Sequence, residues 1–289
     1  MRAMLVAGIV LVGAGACAQQ GGDAGSAGGA AATSAASAPA PREVRFVARD
    51  FQFDGPDTIP AGMTTLILQN DGPGYHHVQL VRLENGMTLA DLEAAAAKIK
   101  PGDTPPPWLH VAGGVNPPEP GAETRATFAI EPGDYAVVCF VDIPDHVPHL
   151  MKGMARTLTV TPSDAPAATP PAEDLTLTLA DYSFSFSAPP TAGHHVIRVV
   201  NGGPQPHEVV IFRLKPGMGM ADFQRWGETF EEPIPVDFLG GPANMAPGQQ
   251  EWVPVDLTPG DYILTCFYYD SGDGMPHIMH GMLLPFTVT

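Results

Sequence analysis

Short runs of four to six residues, rich in β-branched and aromatic side chains, recur along most of this chain. They are Thr64–Gln69, Val78–Leu83, Thr127–Ile130, Tyr135–Cys139 and Thr157–Val160, then Val196–Val200, Val209–Phe212, Trp252–Leu257 and Tyr262–Cys266. Gly, Pro, Asn or Asp bounds each run, which predicts strands. One helical stretch interrupts them. Thr88-x-x-Asp91 has the form of a capping box, and Leu92 to Lys98 is alanine-rich. Its counterpart around Met220–Trp226 is expected to be shorter. Many short strands in a stretch of about 120 residues predict an all-β chain built as a β-sandwich.

The pattern occurs twice. ARDFQF (Ala48–Phe53) matches LADYSF (Leu179–Phe184), and QNDGPGYHHVQLVRL (Gln69–Leu83) matches VNGGPQPHEVVIFRL (Val200–Leu214). HVAGGVNP (His110–Pro117) matches DFLGGPAN (Asp237–Asn244), and EPGDYAVVCF (Glu131–Phe140) matches TPGDYILTCF (Thr258–Phe267). The tails PHLMKGMARTLTVT (Pro148–Thr161) and PHIMHGMLLPFTVT (Pro276–Thr289) match as well. The offset stays between 127 and 131 residues, the size of a duplicated domain and not of a solenoid repeat. The expected organisation is a first domain over 42–161, a Pro/Ala-rich linker over 162–173 and a second domain over 174–289.

Ahead of the repeats lies a different kind of sequence. Met1–Ala16 has one arginine and then an apolar run too short to span a bilayer, which is the form of a secretory signal. Ala14-Gly15-Ala16-Cys17 resembles the lipobox of bacterial lipoproteins, although that family most often has leucine where Ala14 stands. The resemblance implies lipidation of Cys17. Ala16-Cys17-Ala18 also fits simple cleavage after residue 18. Residues 19–41, rich in Gly, Ala, Ser and Gln with almost no charge, are expected to be a flexible tether. The expected location is therefore outside the cytoplasm: a membrane-anchored lipoprotein facing the periplasm or the cell exterior, or a soluble exported protein.

Composition narrows the partners. Fourteen basic against 31 acidic residues give a net charge of −17, which leaves no positive footprint for nucleic acid. Gly and Pro number 32 each, against long helical bundles. Three cysteines cannot make a disulfide framework without one left over.

Two of those cysteines close matching strands, and each is followed by the same pair. Cys139 precedes His149 and Met154; Cys266 precedes His277 and Met282. Four residues separate His from Met in both copies, and nine or ten separate Cys from His. A second histidine lies upstream, His76 or His207. Thiolate, thioether and two imidazoles suit copper, because the sulfurs hold Cu(I) and the imidazoles accommodate Cu(II). Other residues of the same types have plainer readings. His77, His146, His194, His195 and His280 are expected beside the site or at the surface, and Met151 and Met279 as packing of the ligand loop. Trp108, Trp226 and Trp252 are expected in cores or between domains.

The upstream histidine, the Tyr-x-x-x-Cys strand and the Pro-His-x-x-x-x-Met loop with glycine before methionine resemble the cupredoxin (blue copper) family, twice over, from about Glu43 to Thr289. The resemblance implies two tandem Greek-key β-sandwich domains, each with a short helical insertion. It also implies one copper in each, held by His76, Cys139 and His149 with axial Met154, and by His207, Cys266 and His277 with axial Met282. One-electron transfer with a redox partner in the cell envelope is the implied activity. Copper sequestration or delivery, with a copper donor or acceptor as partner, is the alternative, and a metal-free scaffold or adhesion module is the third reading. No enzyme activity is expected: His-x-His pairs are absent, and Val138 and Thr265 stand where copper nitrite reductases place a histidine before the cysteine.

Overall fold

Strands account for the expected runs and extend most of them. The computed structural model describes residues 39–100, 103 and 106–289; the signal sequence, Cys17 and most of the tether lie outside them. The first copy contains β1 (Arg42–Arg49), β2 (Gln52–Asp54), β3 (Thr58–Pro60), β4 (Gly62–Asn70) and β5 (Val78–Arg82). Helix α1 (Leu89–Ala96), β6 (His110–Val115), β7 (Glu123–Ile130), β8 (Gly133–Val138) and β9 (Ala155–Thr161) complete it. The second copy runs through β10 (Leu175–Ala180), β11 (Ser183–Phe186), β12 (Gly193–Asn201) and β13 (Val210–Leu214). It continues with α2 (Met220–Thr229), β14 (Val236–Phe238), β15 (Gln250–Leu257), β16 (Gly260–Thr265) and β17 (Leu283–Val288).

In the first copy, β2-β1-β4-β7 form one layer and β3-β9-β8-β5-β6 the other. Strand β1 pairs parallel with β4, with Phe46 opposite Leu68. The two-residue alternation of β1 buries Val44, Phe46 and Ala48. These residues share a core with Tyr135, Val137 and Cys139, which follow the same alternation on the facing layer. The second copy repeats the arrangement with β11-β10-β12-β15 against β14-β13-β16-β17. Tyr135 and Tyr262, each in a Pro-Gly-Asp-Tyr turn, donate their hydroxyls to the carbonyls of Glu131 and Thr258 at 2.8 Å. Those bonds hold the entry to the strand that ends on the cysteine.

Helix α1 begins where its capping box placed it: Thr88 accepts the Asp91 N–H, and the Asp91 carboxylate accepts the Thr88 N–H. The expectation of a shorter second helix is corrected. Helix α2 has ten residues against eight. Phe223 and Trp226, three positions apart, bury one face of it against Phe212 and Phe238. Tertiary burial extends a helix whose local sequence is a modest helix former. His195, expected at the surface, is buried; its ring sits between the Asp174 carboxylate and the Thr191 carbonyl. Trp226 and Trp252 are buried as expected.

The copies are joined in two places. Strands β7 and β15 pair at Thr127 and Trp252, which merges two layers into one eight-stranded sheet. The Gly-Gly segments of the two copies also pair with each other. Asn116 N–H donates to the Gly241 carbonyl at 2.8 Å, and Ala243 N–H to the Gly114 carbonyl at 3.1 Å. These glycines are obligatory: a Cβ on Gly114 or Gly241 would lie 2.0 Å from the Val78 or Val209 carbonyl oxygen. The seam is polar inside. Gln79 brackets the backbone of Asn244, accepting its N–H and donating to its carbonyl. Glu251, fully buried, accepts the Gly114 N–H with one oxygen while the other has no partner among the described residues.

Candidate metal centre

Each copy brings two histidines and one cysteine to a single buried point. The ligand atoms of His76, Cys139 and His149 lie within 4.8 Å of one another, as do those of His207, Cys266 and His277. His76 and His149 face each other through Nδ1 at 3.1 Å, and the Cys139 sulfur is 3.5 Å from His149 Nδ1. In the second copy the Nδ1 atoms are 3.0 Å apart, with Cys266 sulfur 3.4 Å from His277 and 3.9 Å from His207. All six residues are buried.

Local structure explains the convergence. The upstream histidine stands just before β5 or β13, and the cysteine is the first residue beyond β8 or β16. These strands are neighbours in one sheet, so their ends coincide. The downstream histidine opens a short 3₁₀ turn, His149–Lys152 or His277–His280, that closes on a glycine with φ of 94°. The glycine returns the chain so that Met154 N–H bonds the His149 carbonyl while its own carbonyl accepts Cys139 N–H. Met282 does the same with His277 and Cys266. Both methionines are fully buried beside the donor set.

The surroundings prepare these atoms for a metal. Asp50 accepts the Nε2–H of His76, and Asp181 that of His207, at 2.8 Å each. That bond places the proton on Nε2 and leaves Nδ1 as a lone pair facing the centre. Backbone N–H groups of His77 and Glu208 donate to the sulfurs at 3.4 Å. Burial pushes the Cys139 thiol up to about 12, and raises Cys266 as well. Burial, followed by the neighbouring histidine, lowers His149 and His277 to about 4. The thiols and imidazoles are therefore held in their neutral forms, and a bound cation would take the place of the thiol proton.

The donor set fits copper. A metal about 2.0 Å from nitrogen and 2.3 Å from sulfur in a trigonal plane spaces its donors by roughly 3.5–3.8 Å, and the observed separations of 3.0–3.9 Å bracket that range. Two imidazoles, a thiolate and a thioether match the blue-copper donor set.

The two surroundings are not identical. Phe51 stands edge-on to His149, and Tyr182 takes that place over His277. Four residues after the cysteine, the Ile143 backbone faces His149. Asp270 stands at the matching position, with its carboxylate 3.9 Å from His277 Nε2. Asp270 also accepts from Tyr182 and Gln205. His146 and His280 are exposed, as expected, and stack on Phe230 and Tyr182. His77 is buried, and Glu208 at the matching position is buried too. Asp50 and Asp181 were missed as site residues, although each is the aspartate of the matched ARDFQF and LADYSF segments. Cys17, the residue expected to carry a lipid, lies outside the described residues.

No family model matches the chain, and no curated protein matches it. Similar solved structures include dithionite-reduced auracyanin from Roseiflexus castenholzii, with 22% identity and a TM-score of 0.30, over 43% of this chain and 100% of that one. A blue copper oxidase from Nitrosomonas europaea is 17% identical with a TM-score of 0.26, over 86% of this chain and 85% of that one. A copper-containing nitrite reductase from Thermus scotoductus is 13% identical with a TM-score of 0.23, over 86% of this chain and 62% of that one. The expectation of no enzyme activity is corrected by these matches, since the structures similar over 86% of the chain are those of enzymes. It had rested on absent histidine motifs, which test only two known catalytic arrangements. Layered sheets, a cysteine closing the next-to-last strand of each copy and histidines from the adjoining loops make the fold cupredoxin-like.

Proposed function

We propose that the protein is an exported copper protein with two blue-copper-like sites that pass single electrons in the cell envelope. The observation that supports this most strongly is the buried convergence of two imidazole Nδ1 atoms and a thiol at both strand ends. His76, Cys139 and His149, and His207, Cys266 and His277, would hold one copper each, with the thioethers of Met154 and Met282 completing each donor set. Bound copper supplies the Cu(I)/Cu(II) couple. The residues hold the donors in place for both states: Asp50 and Asp181 orient the upstream rings, and the backbone N–H groups steady the sulfurs. The finer architecture that goes with this reading is two tandem Greek-key sandwiches, 42–161 and 174–289, anchored through a lipid on Cys17. A redox protein of the envelope is the partner.

Exposed methionines favour a second reading, copper sequestration or delivery. Met151 and Met279 lie on the ligand turns and are 43% and 68% exposed, soft sulfurs open to Cu(I). One titration separates the readings. The fragment from Pro41 is expected to take up two Cu(II) per chain and turn intensely blue through sulfur-to-copper charge transfer. Colourless protein that holds only Cu(I) would favour delivery, and protein that holds no copper would overturn both. For the anchor, Cys17→Ala is expected to move the protein from the membrane fraction to the soluble one; retention at the membrane would refute lipidation there.

A further inference from the structure

The donor sets of the two centres match, but the charges held against them do not. His277 turns Nδ1 toward His207 and Cys266, at 3.0 Å and 3.4 Å. Its other nitrogen, Nε2, is buried without a hydrogen-bond partner among the described residues and faces the Asp270 carboxylate at 3.9 Å. With a cation on Nδ1 the ring proton sits on Nε2, so an N–H points at that carboxylate. Asp270 is buried as well. The Tyr182 hydroxyl and the Gln205 amide donate to its Oδ2 at 2.6 Å and 2.8 Å, and the Gly272 and Asp273 N–H groups donate to Oδ1 at 2.7 Å and 3.1 Å. Four donors converge on two oxygens, which is the environment of an ionised carboxylate. In the first copy Ile143 stands at the matching position, four residues after the cysteine. Among the described residues, the neighbouring Asp142 forms no hydrogen bond or ion pair with His76, Cys139 or His149. A cation lies on that side instead. Lys152 Nζ is 4.9 Å from the centre of the Phe51 ring, which stands edge-on to His149. Its match is His280, so a fixed ammonium gives way to an imidazole. The aspartates that pair with these two residues, Asp145 and Asp273, match each other and cancel in the comparison, as do Asp50 and Asp181.

We propose that Asp270, acting through His277, sets the second centre to a lower reduction potential than the first, so that the chain carries two unlike copper sites and not one site duplicated. This rests on the copper reading above. An anion one imidazole away favours Cu(II), which has one more positive charge than Cu(I), and a buried setting strengthens the effect because the local dielectric is low. The Lys152 ammonium works in the opposite sense at the first centre, so both differences widen the gap. Reduction of either site is the same step: Cu(II) takes one electron from an external one-electron reductant and becomes Cu(I), with no proton transferred. Under limiting reductant the first centre therefore fills before the second.

The test reads each centre alone in the copper-loaded full chain. Cys266→Ser leaves the first site and Cys139→Ser the second, and a redox titration followed at the blue band gives the potential of each. At equal applied potential the second site is expected to hold a Cu(I)/Cu(II) ratio about tenfold or more below that of the first, a shift of about 59 mV or more for one electron. Asp270→Asn in the Cys139→Ser protein is expected to recover most of that difference. It should do so by weakening Cu(II) binding, while Cu(I) affinity, measured against a Cu(I) chelator, changes far less. Tyr182→Phe removes one anchor of the carboxylate and keeps its charge, so the low potential is expected to persist. Equal potentials in the two single-site proteins would overturn the inference. So would a rise in Tyr182→Phe as large as that in Asp270→Asn, since packing of the loop would then account for both. Failure of the copper reading shows separately, as single-site proteins that hold no copper before any titration, and would remove the inference with it.

Discussion

Serine at Cys139 is expected to abolish one copper site, serine at Cys266 the other, and the double variant to lose the blue absorption entirely. The colour of such a site comes from electron donation by thiolate sulfur, which an alcohol oxygen does not replace at neutral pH. Changes to residues that merely orient ligands cost about 10–100-fold in metal affinity, so removal of the thiolate itself is expected to cost more. The fold should survive. Strands β8 and β16 are held by backbone pairing to β5 and β9, and to β13 and β17. A serine hydroxyl can still accept from His77 or Glu208 N–H and donate to a histidine. Copper per chain and the visible spectrum of each variant are the measurements. A blue band that persists in the double variant would sink the assignment of both thiolates.

Glu251→Gln is expected to make the protein more stable, by a margin that grows as pH rises. Glu251 is fully buried in the seam without a cationic partner among the described residues, and burial raises its carboxyl well above the ordinary 4.5. Between the unfolded and folded values the native protein holds a proton that the unfolded chain has lost. Stability then falls with rising pH, by about 1.4 kcal/mol per pH unit, until pH passes the folded value. Below pH 4.5 both states are protonated and the cost disappears. Glutamine keeps the oxygen that accepts Gly114 N–H and has no such proton to lose. Urea midpoints of the two metal-free proteins from pH 4 to 8 should diverge in favour of the variant. Parallel curves would show that Glu251 is not held protonated by the fold.

Both predictions draw on residues that differ in how legible they were. The cysteines, histidines and methionines could be read from the repeat alone, since a donor set recurring at nearly constant spacing is a local property of chain order. The strands that carry them were legible for the same reason, as alternation and turn residues act over a few positions. Glu251 gave no such sign. Its neighbours Gln250 and Trp252 lie on an ordinary strand pattern, and only the approach of Gly114 from the other copy buries it. His195 was misjudged likewise, because the Asp174 carboxylate and the Thr191 carbonyl enclose its ring. Helix α2 outgrew its sequence because Phe223 and Trp226 found an aromatic surface to cover.

The amino-acid sequence by itself determined the duplication, the β class, the donor residues and the turns that present them, because each depends on short-range order that the chain carries everywhere. The tertiary structure alone decided how the copies meet. It paired the two Gly-Gly segments, buried Gln79, Asn116, Glu208 and Glu251 in one seam, and set Asn116 against Glu208. Those contacts join residues up to 165 positions apart. Their partners differ between the copies, His77 against Glu208 and Asn116 against Ala243, so comparing one repeat with the other could not reveal them. A buried polar side chain takes its role from whichever group satisfies it, and that group is chosen by packing.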